Sequence, residues 1–183
     1  MQAIARWVLV VLLGAILLVA APSGTLDAQT SGPGETAFWA SVGMGSSSLG
    51  TTRGLGLSYR RSHHLISARG LDVGSSESSD PLGTGARTEL TEIGLMYGVG
   101  ASGERSWRSI SGGIGLVEGE RSGTEDPDEA GESFGAVASL MLEAQLTFIA
   151  SDAVGFGVTG FANVNSEDSF AGVMVSAHVG RLR

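Results

Sequence analysis

The sequence predicts an all-β protein: an eight-stranded antiparallel up-and-down β-barrel preceded by an N-terminal signal helix. Three observations carry that expectation. Apolar residues recur at every second position through most of the chain after residue 35. Glycine, at 29 of 183 residues, is spread through those alternating runs instead of gathering in a linker. The connections between runs alternate between tight and long, which is how short turns collect on one rim of a membrane barrel and loops on the other.

Residues 1–28 are expected to lie outside the barrel. Arg6 gives a positive start, "WVLVVLLGAILLVAA" (Trp7 to Ala21) is an apolar core, and small residues follow it. That is the pattern of a secretory signal. The apolar run is about 15 residues, short of the roughly 20 that a bilayer-spanning helix needs. Cleavage is expected after Ala28, which leaves residues 29–183 as a single domain; cleavage after Ala21 is disfavoured because Pro22 follows. The chain has no cysteine, which excludes a disulfide framework, a thiolate metal site and a lipid-attachment cysteine. A net charge of −8 argues against nucleic acid as a partner.

The alternating runs can be taken in order. Phe38, Ala40, Val42 and Met44 alternate with Trp39, Ser41, Gly43 and Gly45. Leu55, Leu57 and Tyr59 alternate with Gly56, Ser58 and Arg60, and His63 to Gly70 forms a less regular third run. Ile93, Leu95, Tyr97 and Val99 alternate with Glu92, Gly94, Met96 and Gly98. In the fifth run Ile110, Ile114 and Leu116 oppose Ser109, Ser111, Gly113 and Gly115.

The sixth run, Phe134 to Phe148, is the clearest. Its even positions are all apolar, from Phe134, Ala136 and Ala138 to Leu146 and Phe148. Its odd positions are Gly135, Val137, Ser139, Met141, Glu143, Gln145 and Thr147. Ala, Leu, Met, Glu and Gln favour a helix. A helix, however, would smear the two classes around its circumference, whereas a strand separates them completely. The seventh run sets Val154, Phe156 and Val158 against Gly155, Gly157 and Thr159. The last sets Ala171, Val173, Val175, Ala177 and Val179 against Gly172, Met174, Ser176 and His178.

Tight connections are expected near Ser62, at Ala101 to Glu104 and at Ser151-Asp152. Long, acidic, Gly- and Ser-rich loops are expected at Asp72 to Ala86 and Glu118 to Glu132. Aromatic residues are expected at both rims as interfacial girdles. Phe38, Trp39, Tyr59, Tyr97, Trp107 and Phe148 fall on the short-turn side, with Phe156 just inside, and Phe134 and Phe170 fall on the other.

The two faces of the strands are inverted relative to a soluble protein. One face is uniformly apolar; the other is glycine and serine, nearly bare of the charged residues that water-facing strands carry. An eight-stranded barrel has a lumen just wide enough for side chains, so small residues inside and apolar ones towards lipid suit it. The larger polar groups on the inward face are Arg60, Arg69, Glu92, Glu143, Gln145 and His178. Buried charges must pair, so these six are expected to form a polar network that plugs the lumen.

No catalytic motif surrounds any serine. His63-His64 lies at a turn, and adjacent strand residues face opposite ways, so the pair is read as solvated. "TEDPDEAGE" (Thr124 to Glu132) is rich in carboxylates but lacks the spacing of a calcium loop. No cofactor, metal or catalytic residue is therefore assigned. Arg60, Arg61, Arg105, Arg108, Arg181 and Arg183 gather at the short-turn rim, so the barrel is expected to be basic there and acidic at its loops.

"GFANVNSEDSFAGVMVSAHVGRLR" (residues 160–183), with "LEAQL" (Leu142 to Leu146) and "GLMYG" (Gly94 to Gly98), resembles a small family of secreted Bacteroidota-type bacterial proteins. These are predicted outer-membrane β-barrels without an assigned activity. The resemblance implies a small eight-stranded barrel and an outer-membrane location, and it transfers no site residue. The resulting expectation is a non-enzymatic outer-membrane barrel with a filled lumen. Its partners would be outer-membrane lipid and an extracellular partner of the acidic loops. The alternative reading is a periplasmic soluble barrel or sandwich that binds a small apolar ligand. A membrane-embedded lipid-modifying enzyme is a third.

Overall fold

Alternation becomes eight strands in chain order: β1 (Thr36–Ser47), β2 (Gly50–Arg61), β3 (His64–Gly74), β4 (Arg87–Ser102), β5 (Ser106–Ser122), β6 (Glu132–Ile149), β7 (Val154–Asn165) and β8 (Phe170–Arg181). The computed structural model describes residues 36–74, 87–122 and 132–183. The expected signal segment and the acidic stretches 75–86 and 123–131 lie outside the described residues. Each strand pairs antiparallel with its chain neighbour, and β8 closes on β1 from Phe38↔Arg181 to Ser47↔Gly172. Closure removes the sheet edges that would otherwise invite further pairing.

Side-chain parity then divides the barrel. The exposed large apolar side chains, among them Val42, Leu57, Ile93, Ile114, Leu140, Val158 and Val175, all fall on the outward parity of their strands. They come from all eight strands. From Leu140 to Phe148 on β6 the apolar face runs roughly 20 Å along the barrel axis, taking about 3.4 Å per residue and a tilt near 40°.

The inward face corrects the expectation of a lumen lined mainly by small residues. Leu71, Val73, Leu90, Val117, Phe161, Phe170 and Met174 form a buried apolar cluster towards the loop rim. Ala37, Trp39, Leu65, Ile149 and Leu182 form another at the short-turn rim. The glycines make room for these groups. Gly43 and Gly54 are direct cross-strand partners, and a Cβ on either would lie 2.6 Å and 2.9 Å from Met174 Sδ. Gly94 and Gly115 form a second such pair beneath Met141, whose sulfur would meet a Gly115 Cβ at 2.7 Å. Each of these methionines lies on a glycine pair of the two neighbouring strands.

The aromatic girdles are also corrected. Trp39, Trp107 and Phe170 are buried on the inward face. Phe134 turns inward as well, because the β5–β6 register shifts between Val117 and Gly119. There Gly135 and Ala136 oppose the single residue Glu118, a bulge that flips the parity of the strand beyond it. Phe134 therefore packs against the loop-side cluster. The outward aromatics that remain are Phe38, Tyr59, Tyr97, Phe148 and Phe156, all towards the short-turn rim.

The turns are tight where short connections were expected. β2 and β3 are joined through Ser62 and His63, with Ser62 in the left-handed region at φ 56°. The opposite rim is mixed, since β1–β2 closes through Ser48 and Leu49 and β7–β8 through residues 166–169.

Candidate functional site

The polar centre of the lumen is built from four strands. Arg69 on β3, Glu92 on β4, Glu143 on β6 and Asn163 on β7 all occupy inward positions. Arg69 donates from Nε (3.0 Å) and Nη2 (2.7 Å) to Glu92 Oε1, and from Nη1 (3.0 Å) to Glu143 Oε2. Asn163 Nδ2 donates to Glu92 Oε2 at 2.5 Å. The guanidinium also lies over the Phe161 ring, 5.6 Å from its centroid. Glu92 is thus held on both oxygens, and one cation is shared by two carboxylates.

Asn165 extends this chain to the loop rim. Its Nδ2 donates to Asn163 Oδ1 at 2.8 Å, while its Oδ1 accepts from the backbone N–H groups of Glu167 (2.8 Å) and Asp168 (2.9 Å). A continuous series of contacts therefore links Glu143 to the β7–β8 turn.

Arg60 belongs to a separate cluster at the short-turn rim. It donates to Ser102 Oγ (2.8 Å) and to the Leu182 carbonyl (3.4 Å), and its guanidinium stacks 4.7 Å from the Trp107 centroid. His178 is buried nearby, edge-on to Trp39, with Nε2 at 3.0 Å from Ser176 Oγ. Gln145 lines a cavity of about 30 Å³ together with Ser67, Arg69, Glu143, Thr159 and Met174. That volume has room for about two waters. The six residues singled out in the sequence thus separate into an Arg69–Glu92–Glu143 centre, an Arg60 cluster, a Ser176–His178 pair and Gln145 at the cavity.

What this arrangement can do chemically is limited by access. Ser176 and His178 have the spacing of a nucleophile and a base, but they are 8% and 0% exposed. His178 Nδ1 meets no carboxylate to orient it. Among the described residues no group of three His, Asp or Glu side chains gathers as a metal site.

Several solved structures share this architecture. The attachment invasion locus protein Ail of Yersinia pestis matches at 15% identity and TM-score 0.54, covering 80% of this chain and 98% of Ail. Neisserial surface protein A matches at 11% identity and TM-score 0.56, over 79% of this chain and 94% of its own. The N-terminal β-barrel domain of Pseudomonas aeruginosa OprF matches at 9% identity and TM-score 0.59, over 80% and 98%. The fold is that of the small eight-stranded outer-membrane barrels. Neither a protein-family model nor a curated protein sequence matches the chain. At these identities the shared feature is the barrel itself.

Within that barrel fold, sequence reading had missed Asn163, Asn165 and Phe161. The signal was available for Asn163, since it continues the inward parity of Gly157 and Thr159 along β7. For Phe161 the same parity runs against the outward apolar rule, and its contacts with Phe170 and, across the lumen, with Arg69 explain it.

Proposed function

We propose that this protein is an outer-membrane β-barrel with a lumen closed by its own side chains. It serves a structural or surface-interaction role through its acidic loops and carries out no catalysis. The observation that carries this reading is the complete separation of faces: an apolar outer wall on every strand surrounds a charged, hydrogen-bonded interior. Soluble monomers rarely leave an apolar patch larger than a few hundred Å² in water, and a belt around a whole barrel is suited to lipid. The narrower likeness to the Bacteroidota-type family, carried by the C-terminal segments, belongs to the same reading.

The interior supports closure. Two apolar clusters and the Arg69 centre occupy successive levels of the lumen. A cavity of about 30 Å³ is an order of magnitude below the roughly 300–1,000 Å³ of small-molecule pockets. That cavity is too small to store an apolar ligand, as the alternative of a soluble ligand-binding barrel would require. The acidic stretches join β3 to β4 and β5 to β6 on the side opposite the short turns, and an extracellular partner would be met from that side.

Membrane fractionation tests the reading. The mature protein is expected to stay in the membrane through salt and alkaline washes and to leave only with detergent. Release by alkali alone refutes the membrane assignment. Reconstituted into a planar bilayer, it is expected to pass no steady bulk current, and a stable open conductance refutes the closed lumen.

A further inference from the structure

The short-turn rim carries a feature that a structural barrel does not require. Outward Arg61 on β2 and Arg181 on β8 flank β1, where outward Phe38 lies directly opposite both Tyr59 and Arg181. His64 stands opposite Arg61, stacks on Tyr97 with ring centroids 5.9 Å apart, and places Nδ1 2.6 Å from the Tyr97 hydroxyl. Arg61 and Arg181 are both exposed. Among the described residues Arg61 meets no protein acceptor, and Arg181 uses only Nε, which donates to the terminal carboxylate of Arg183 at 3.0 Å and leaves both Nη groups for a second anion. The acidic side chains described at this rim are Glu104 and Asp152, on the β4–β5 and β6–β7 turns, with Asp152 paired to Arg183 at 3.8 Å. Apart from the terminal carboxylate beside Arg181, the outward face from β8 to β3 carries cations and aromatic rings.

We infer that this face is a binding site for the phosphate headgroup of an anionic phospholipid in the leaflet that the short turns face. The inference rests on the membrane-barrel reading above. Position supports it first. Arg61 lies two residues beyond Tyr59 on the same face, roughly 5 Å further along the axis at the usual rise and tilt. The headgroup layer is about 5–7 Å deep on each side of the hydrocarbon. The aromatic rings therefore mark the edge of the apolar zone; Arg61 stands at the phosphate level just beyond it, and the long side chain of Arg181 reaches towards that level from the row of Phe38.

Spacing supports it second. β8 and β2 are separated only by β1, and Arg61 lies two residues beyond the row of Phe38 and Arg181, so the two arginines stand roughly 12 Å apart on the sheet. Two long side chains at that separation can flank one phosphodiester, and a guanidinium matches two phosphate oxygens at once. The ring of Phe38, 61% exposed between them, offers an apolar surface for the glycerol and upper acyl carbons.

The test uses the full mature protein in nanodiscs containing equal amounts of phosphatidylcholine and phosphatidylglycerol. Lipids retained on transfer into detergent are counted by native mass spectrometry. Wild type is expected to retain phosphatidylglycerol over phosphatidylcholine by roughly 30-fold, about a factor of five per arginine. Arg61→Gln with Arg181→Gln is expected to abolish that preference, as is 0.5 M salt. Neither side chain is buried, so the heat-induced unfolding of the double variant should match wild type. Equal retention of the two lipids by wild type, or an unchanged preference in the double variant, overturns the inference. A parallel arm in pure phosphatidylcholine keeps the two readings apart. Failure to insert there overturns the membrane barrel and the lipid site together, while insertion without a headgroup preference overturns the lipid site alone.

Discussion

Arg69 grips a single oxygen of Glu92 with two donors, Nε at 3.0 Å and Nη2 at 2.7 Å, while its third contact reaches Glu143 across the lumen. The pair is sealed, with side chains 4% and 0% exposed. One positive charge therefore answers two negative ones in a space that excludes bulk water. That imbalance sets an order for what each residue contributes.

Arg69→Leu leaves two carboxylates facing each other without a cation, and it is expected to destabilise the barrel by about 3–5 kcal/mol. Glu92→Leu should cost less, because Arg69 keeps Glu143. Glu143→Leu should cost least, because a neutral Arg69–Glu92 pair with its Asn163 bond survives. Urea unfolding in detergent measures all three. A Glu143 substitution as damaging as that of Arg69 would contradict the order.

Ile114, on the outward face of β5, is 70% exposed. In water Ile114→Arg would change stability by no more than about 0.5 kcal/mol, as surface substitutions do. At the middle of a bilayer the same change is expected to cost about 2–4 kcal/mol. Refolding titrations in phosphatidylcholine vesicles separate the two outcomes, and a negligible cost there argues against a lipid-facing wall.

Gly43 lies opposite Gly54 with Met174 across both. Gly43→Val forces the methionine and the neighbouring ladder to move, with an expected cost of about 1–3 kcal/mol. Met174→Ala alone should also destabilise, by leaving a void. Combined, the two should cost less than their sum, which a double-mutant cycle from chemical unfolding would read. Simple additivity would mean that the glycine serves the backbone and not the methionine.

Phe161 and Phe156 lie on the same strand with opposite fates, 0% and 57% exposed. Phe161→Ala removes a ring that packs edge-on against Phe170 and lies beneath Arg69, and should cost about 3–5 kcal/mol. Phe156→Ala in detergent should cost far less. Thermal unfolding of the two variants gives the comparison, and equal losses would undo the assignment of Phe161 to the lumen.

The sequence by itself determined the strands, their antiparallel order and which parity faces out, because a period of two leaves no other element able to separate Leu140, Leu142 and Leu146 from Glu143 and Gln145. Inward positions for Arg60, Arg69, Glu92, Glu143, Gln145 and His178 followed from the same rule. Partnership did not. Arg60 and Arg69 both lie inward, yet only the axial offset between strands places one at Trp107 and the other between Glu92 and Glu143. Phe134 was misread for a related reason: alternation counts residues along one strand, while the bulge opposite Glu118 exists only in the pairing of β5 with β6. Likewise Phe170 reads as a rim aromatic until the lumen is closed around it, where it packs edge-on against Phe161, whose ring fills space that Gly172 leaves open. Parity is a local property of backbone geometry, whereas pairing across the lumen depends on strand stagger, which is set only when β8 closes on β1.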